Sequence, residues 1–484
     1  MWSRREHHHD KMRLRSLLVH FRLLPRKNIN KFVLTSRSCP DRPISFPSAV
    51  LRKNLTFRVF SSTNLHKSAI STLDLRMEAE TSWTTYPYSY ITTHVPEAET
   101  YSDHNDDDET KVQTFSMDSL LPNDLLERIL TFLPIASIFR AGTVCKRWNE
   151  IVSSQRFLTN FSNNNSAPQS PWYFMFTSTD DPSGYAYDPV IKKWYGFDLP
   201  CIESSNWFVA SSCGLVCFMD NDCRNKIYVS NPITKQWRRL TEPPGHRSTD
   251  YAALSASVNR AKQSYSVSVV KSKQVQGDFS QWEISVHLYS SETMTWTTRL
   301  TDVLAGWRGG DESVICGNVL YFLIYSTGGS DHRHGLIALN LSTISSSNGV
   351  LMRSFIPMPC SLTCGRLMNL KEKLVVVGGI GKHDRPDIIK GIGVWCLNGG
   401  GREWQEVARM PQRFFQGFGE LDDVFASSGS DDMVYVQSYG SPALLTFDMK
   451  LKCWKWSQKC PVSKKFPLQL FTGFCFEPRL EIAP

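Results

Sequence analysis

Leu121-Pro-Asn-Asp-Leu-Leu-Glu-Arg-Ile-Leu-Thr-Phe-Leu-Pro-Ile-Ala-Ser-Ile-Phe-Arg-Ala-Gly-Thr-Val-Cys-Lys-Arg-Trp148 divides the chain into a polar leader and a long strand-rich remainder. Its spacing predicts two short helices. Pro122 suits a first helical position, where its missing N–H costs nothing. Asp124 places a negative charge in the first turn, favourably against the helix dipole. Leu125, Ile129, Phe132 and Leu133 then follow at helical spacing. Pro134 ends the run by removing a donor and disfavouring α geometry at Leu133. A second pattern runs through Ile138, Ala141, Cys145, Trp148 and Val152. The first helix carries too much apolar surface, because Leu125, Leu126, Ile129, Leu130, Phe132 and Leu133 cover more than one face. So small a unit has little core of its own. The surplus face therefore requires a cover, either the chain's own β domain or another protein.

Leu121-Pro122, Leu125, Ile129-Leu130, Leu133-Pro134, Ile138, Val144-Cys145-Lys146 and Trp148 follow the order and spacing of an F-box, which this stretch resembles over roughly 117–161. The resemblance implies docking onto a Skp1-like protein, and through it cullin 1 and a RING subunit, in an SCF ubiquitin ligase. It further implies that Leu121, Pro122, Leu125, Ile129, Leu130, Leu133, Pro134, Ile138, Val144 and Trp148 form or support the Skp1 surface.

Beyond the turn-rich run Asn160 to Ser170, short stretches of Val, Ile, Tyr, Phe and Trp alternate with Gly, Asn, Asp and Pro, which is strand chemistry with turn punctuation. The stretch repeats. Strands ending at Asp188, Asn231, Ser290, Asn398 and Asp448 are each followed six residues later by Trp194, Trp237, Trp296, Trp404 and Trp454. A sixth phrase ends at Asn340 and lacks the Trp. The polar residue starts a turn by bonding its own backbone. The Trp is expected to open the next strand and bury its ring between sheets. About four strands per unit cannot bury both faces alone, whereas a radial stack can, as in a β-propeller. Lys373-Leu-Val-Val-Val-Gly-Gly379 resembles the strand and double glycine of a kelch repeat, and the other units are closer to the associated repeats of plant F-box proteins. The first unit is one strand short, and the run Leu468 to Phe476 is expected to complete it, closing a ring that would otherwise leave unpaired edges.

The expected organisation is a small all-α F-box (116–162), a linker (163–170) and an all-β six-bladed kelch-type β-propeller (171–484), preceded by a disordered N-terminal region. Charge separates the segments. Residues 1–76 hold sixteen Lys or Arg against four Asp or Glu, and residues 77–115 hold one against nine. The net +8 thus belongs to the tail, and the folded part needs no nucleic-acid groove. Residues 77–115 read as an acidic disordered leader. Residues 1–76 fit a disordered basic tail, an extension of the gene model ahead of initiation at Met77, or an organelle transit peptide, whose composition they resemble. No apolar run is long enough to cross a bilayer as a helix, so no membrane partner is expected. Thirteen Cys, an odd number set mostly in apolar runs, favour reduced thiols and a nuclear or cytoplasmic location.

Catalytic signals are weak. Gly378-Gly-Ile-Gly381 lacks the Lys and helix of a phosphate loop. His332, His334 and His383 lie in neighbouring loops without a fourth ligand, and Cys213, Cys217 and Cys223 lack paired metal spacing, so these cysteines are expected as buried strand thiols. No cofactor, metal or catalytic residue is expected. Loops combining Gly, charge and aromatics are the target-binding candidates: Trp307, Arg308, His332, Arg333, His383, Arg385, Arg413 and Phe414. The resemblance implies a non-catalytic adaptor, with the F-box on Skp1 and the propeller on an unknown protein target. The alternatives are a non-degradative Skp1-binding protein and a propeller enzyme.

Overall fold

A computed structural model describes residues 121–164, 170–177, 182–246, 249–328, 334–342, 350–381, 388–398, 402–416, 425–438, 441–462 and 473–484. The basic tail, the acidic leader and most of the linker lie outside the described residues.

The leading stretch forms three helices, not two, α1 (Asn123–Thr131), α2 (Ile135–Gly142) and α3 (Lys146–Ser153), and a fourth, α4 (Gln155–Asn164), follows it. Pro122 precedes the first helical residue, and its carbonyl accepts from the Leu126 N–H at 3.1 Å. Pro134 plays the same part for α2. The expected second helix is broken at Thr143–Cys145, where the chain leaves helical geometry and Cys145 becomes extended. Apolar spacing continues through that break, so periodicity alone did not reveal it. Polar ties hold the helices together. Arg147 donates to the Asn123 side chain at 2.8 Å, Arg156 meets Asp124 at 2.9 Å, and Asn160 donates to the buried Glu127.

The remainder is a β-propeller of antiparallel meanders. The strands are β1 (Trp172–Phe176), β2 (Gly184–Asp188), β3 (Lys193–Phe197), β4 (Trp207–Ser212), β5 (Leu215–Asp220), β6 (Ile227–Asn231), β7 (Gln236–Arg239), β8 (Tyr251–Asn259), β9 (Ser264–Gln274), β10 (Gln281–Ser290), β11 (Thr295–Ala305), β12 (Trp307–Cys316), β13 (Val319–Ser326), β14 (His334–Asn340), β15 (Phe355–Pro357), β16 (Leu362–Leu370), β17 (Lys373–Gly381), β18 (Ile389–Leu397), β19 (Trp404–Arg409), β20 (Phe425–Ser430), β21 (Met433–Ser438), β22 (Leu444–Asp448), β23 (Cys453–Trp456) and β24 (Gly473–Phe476). The sheets run β24-β1-β2-β3, β4-β5-β6-β7, β16-β17-β18-β19 and β20-β21-β22-β23, plus one eight-stranded sheet β11-β10-β9-β8-β12-β13-β14-β15. The last consists of two meanders joined where β12 (Trp307–Cys316) lies parallel to β8 (Tyr251–Asn259), with Glu312 opposite Leu254. The expected closure is present. β24 (Gly473–Phe476) pairs with β1 (Trp172–Phe176), Trp172 facing Phe476. Residues 468–472 of the expected run lie outside the described residues.

The repeating phrase works as its chemistry requires. Asp188 accepts from the N–H groups of Val190 and Ile191, Asn231 from Ile233 and Thr234, and Asp448 from Lys450 and Leu451. Two residues before each of four Trp the backbone turns left-handed, at Lys192, Lys235, Met294 and Lys452. The Trp rings differ from expectation. Only Trp454 is buried, and Trp237 is exposed. They sit on the outermost strand of each meander, beyond which no further strand of that meander lies. Their role is to bridge. The indole N–H of Trp194 donates to the Gln458 carbonyl, that of Trp296 to Thr241 and that of Trp404 to Pro357, each at 2.8 Å and each on the preceding meander. Stacking on the neighbouring strand adds to this, as for Trp454 on Phe447 with centroids 4.5 Å apart.

The helices have no separate core. Leu126, Leu130, Ile135, Ala136, Ile138, Ala141, Phe157 and Phe161 join a single buried cluster with Trp172, Phe174, Tyr195, Phe197, Phe218, Phe474 and Phe476. The Arg140 guanidinium also lies over the Tyr195 ring, 5.9 Å from its centroid. The helical segment is therefore packed onto the first two sheets rather than tethered beside them.

Candidate interaction surfaces

Helical spacing splits α1 into two apolar faces. Leu126 and Leu130 are 2% and 1% exposed, with Leu133 half-buried against the same cluster. Leu125, Ile129 and Phe132, at the complementary spacing, are 50%, 50% and 74% exposed. Val144, in the break between α2 and α3, is 63% exposed, and Pro122 and Pro134 are exposed at the ends of the helix. Of the ten residues expected to form or support the docking surface, Pro122, Leu125, Ile129, Pro134 and Val144 are exposed apolar residues. Leu121 is half-buried. Leu130 and Ile138 are buried, and Trp148 packs partly against the core, so these residues hold the exposed ones from beneath. Phe132 was not among the expected residues, although its position three after Ile129 and seven after Leu125 places it on their face.

A contiguous apolar strip is the informative kind of exposure, since scattered apolar residues are normal on any surface. Every other strongly apolar side chain of α1 is already satisfied inside the protein.

The meanders all run in the same sense. First-to-second and third-to-fourth turns therefore lie at one end of the propeller, and second-to-third turns and crossings between sheets at the other. The helices enter at the first end, where Trp172 pairs with Phe476. Trp307 and Arg308 begin β12, opposite Ser326 and Tyr325, at the second end. Arg413 and Phe414 lie in the short helix α5 (Gln412–Phe415), a crossing between sheets, and belong to that end as well. Arg413 is exposed, with its guanidinium 4.9 Å from the Phe414 ring centroid. His332, Arg333, His383 and Arg385 lie outside the described residues.

Arg308 occupies a built position. Its guanidinium lies 3.8 Å from the centroid of Tyr251 and 4.8 Å from that of Tyr325. Gly310 makes this possible, because a Cβ there would come within 2.3 Å of the Tyr325 ring. Trp307 stacks edge-on against Phe355 at 5.3 Å. Nearby, Arg366 pairs with Glu312 at 2.5 Å and ties adjacent inner strands. Burial pushes the Glu312 carboxyl up, against the pull of Arg366.

The described thiols are free. Burial pushes Cys201 and Cys213 up to about 11, and Cys316, Cys460 and Cys475 up to about 12, which keeps them protonated and poorly nucleophilic. Cys217 is a buried strand thiol as expected, whereas Cys213 lies in a tight turn and Cys223 is exposed in a loop. A left-handed turn follows β4 at Cys213-Gly214, and the β5–β6 connection carries Cys223 among polar residues, so neither thiol lies in a strand. Among the described residues no group of three His, Cys, Asp or Glu is placed to hold a metal. His334 instead lies edge-on to Tyr325 at 4.8 Å.

His287 is buried between the Thr298 and Ser285 hydroxyls, each 3.0 Å from a ring nitrogen. Burial first, and the Lys271 ammonium second, push its imidazole down to about 4. An unfolded histidine titrates near ~6.5, so between that pH and about 4 only the unfolded chain takes up this proton. The stabilisation is complete above that window and falls as pH is lowered through it, by ~1.4 kcal/mol per unit and on the order of 3 kcal/mol in all. Urea midpoints measured between neutral pH and pH ~4 should show this slope. His287→Asn should reduce it by one proton's worth.

The family described as F-box domain matches residues 119–160, and that described as F-box protein At3g26010-like, beta-propeller matches residues 197–379. The F-box/kelch-repeat protein At3g61590 of Arabidopsis thaliana is 80% identical over 416 residues, covering 84% of this chain and all of that protein. F-box only protein 6 of the same plant is 27% identical over 371 residues, covering 74% of this chain and 73% of that one. SKP1-interacting partner 15, also from Arabidopsis thaliana, is 25% identical over 402 residues, covering 75% and 98%.

Proposed function

Since the chain belongs to the F-box/kelch-repeat family, we propose that it is the substrate-receptor subunit of an SCF ubiquitin ligase. The observation that carries this reading is the open strip of Leu125, Ile129, Phe132 and Val144 on helices whose other face is already buried. A relative bearing the name SKP1-interacting partner 15 supports a Skp1-like protein as its occupant. Cullin 1 and a RING subunit would join through that protein. The target would sit at the far end of the propeller.

The protein's contribution is then proximity, not covalent chemistry. A target held on a rigid receptor meets the charged ubiquitin carrier at high effective concentration. The shared core of helices and sheets supports that rigidity.

Six blades are the reading of the propeller that we favour. The eight-stranded sheet divides into two meanders at its single parallel contact. The inner strands β24, β4, β8, β12, β16 and β20 each touch the next around a ring. The order of motifs from Met77 onward further resembles the plant F-box/kelch-repeat protein called Hawaiian skirt. Action in the nucleus and/or cytoplasm accords with the free thiols.

Affinity capture with the whole chain tests the reading. A Skp1-like protein should co-purify, and proteins held by the propeller should accumulate when the helical strip is disabled. Capture without any change in the abundance or ubiquitination of the held proteins would favour a non-degradative adaptor.

A further inference from the structure

The second end of the propeller carries a more specific signal. Arg308 is half-buried between two tyrosine rings, which fixes the plane of its guanidinium. Among the described residues its side chain donates one hydrogen bond, from Nη1 to the carbonyl of its own neighbour Gly309, at 3.1 Å. Among the described residues no carboxylate pairs with it, and the neighbouring Glu312 is engaged by Arg366. A second arginine lies at the same end. Arg224 is 9% exposed, its Nη1 donates to the Thr249 carbonyl at 2.7 Å, and its Nε–H is buried without an acceptor. Its acidic neighbours Asp222, Asp250 and Asp311 act on it through space without forming an ion pair. An exposed apolar residue lies on the loop that meets the chain just ahead of Arg308. The Gly306 N–H donates to the Ser280 carbonyl at 2.7 Å, which brings Phe279, 75% exposed, beside the start of β12.

A guanidinium held flat by aromatic rings has little ordering entropy left to lose. Its fork matches planar oxyanions. The exposed Phe279 ring on the neighbouring loop offers contact area to an apolar side chain next to the anion.

We propose that Arg308 is the anion-recognition point for the target, which presents an acidic side chain, a carboxylate or a phosphate, next to an apolar residue that packs on Phe279. This assignment rests on the receptor reading above and supplies the chemistry of the cargo.

The test uses the whole chain and arrayed short peptides with a central Glu, Gln or phosphoserine, each flanked by Phe or Ala. Glu or phosphoserine peptides flanked by Phe should bind roughly tenfold or more tightly than their Gln counterparts. A preference for phosphoserine over Glu identifies the anion as a phosphate, and the reverse identifies it as a carboxylate. Arg308→Met, which keeps the apolar stem between the rings, should abolish the preference. Phe279→Ala, a surface change that leaves folding intact, should remove the advantage of Phe over Ala flanks. Equal binding of the Gln, Glu and phosphoserine peptides, no binding of any acidic peptide, or an undiminished Arg308→Met protein overturns the proposal. Capture of a Skp1-like protein should be unchanged in both variants. If that capture fails already in the unaltered chain while the peptide preference holds, the ligase reading fails and this one stands.

Discussion

Removing residues 473–484 should abolish cooperative folding of the propeller. β24 is the innermost strand of the first sheet, and its pairing with β1 is where the propeller's last and first strands meet. Phe474 and Phe476 are 4% and 1% exposed, and both belong to the cluster on which the helical segment rests. The tail beyond the strand is equally engaged. Arg479 is buried between Glu477 and Glu481, at 2.9 and 3.4 Å. The Asn231 amide donates to the carbonyls of Arg479 and Ile482. Phe474, Phe476, Leu480 and Ile482 each contribute ~1.5–3 kcal/mol by burial, a sum comparable to the ~5–15 kcal/mol that holds an ordinary domain together. Truncation also exposes unpaired inner edges, an aggregation hazard. Thermal unfolding by circular dichroism should lose its sharp transition, and size exclusion should show aggregates. A monomeric truncated chain melting within a few degrees of the full chain would refute the closure. The milder Phe476→Ala should cost about 3–5 kcal/mol.

The second large effect concerns the helical strip. Leu125→Asp, Ile129→Asp and Phe132→Asp should each weaken capture of a Skp1-like protein ~30-fold or more, because central apolar anchors commonly carry upwards of ~2 kcal/mol apiece. Their melting temperatures should move little, since each side chain is at least half exposed. Leu130→Asp differs by one helical step and should behave in the opposite way. Its side chain is 1% exposed in the shared core, so an unpaired carboxylate there should unfold the protein rather than merely disable docking. Undiminished capture by a folded Phe132→Asp protein would remove that residue from the interface.

Together these outcomes would separate the two ends of the molecule. Variants in the strip affect the scaffold contact, and Arg308→Met affects cargo. Neither should disturb the other, because the helices enter at the Trp172 end and Arg308 lies at the opposite one.

The helical start at Pro122, the stop before Pro134, the turn residues Asp188, Asn231 and Asp448, and the need for a closing strand near Phe476 are all legible in the sequence. Each depends on local backbone chemistry or on strand count, and both are written in residue order. The break at Thr143–Cys145, the exposed bridging of the Trp rings and the sandwich around Arg308 are not. Arg308, Tyr251 and Tyr325 come from three different strands, so no spacing along the chain announces that they meet. The sequence alone determined that α1 has two apolar faces. Only the packing of Leu126 and Leu130 onto the protein's own sheets decided which face stays open, because burial depends on neighbours that the chain brings together only when the ring has closed.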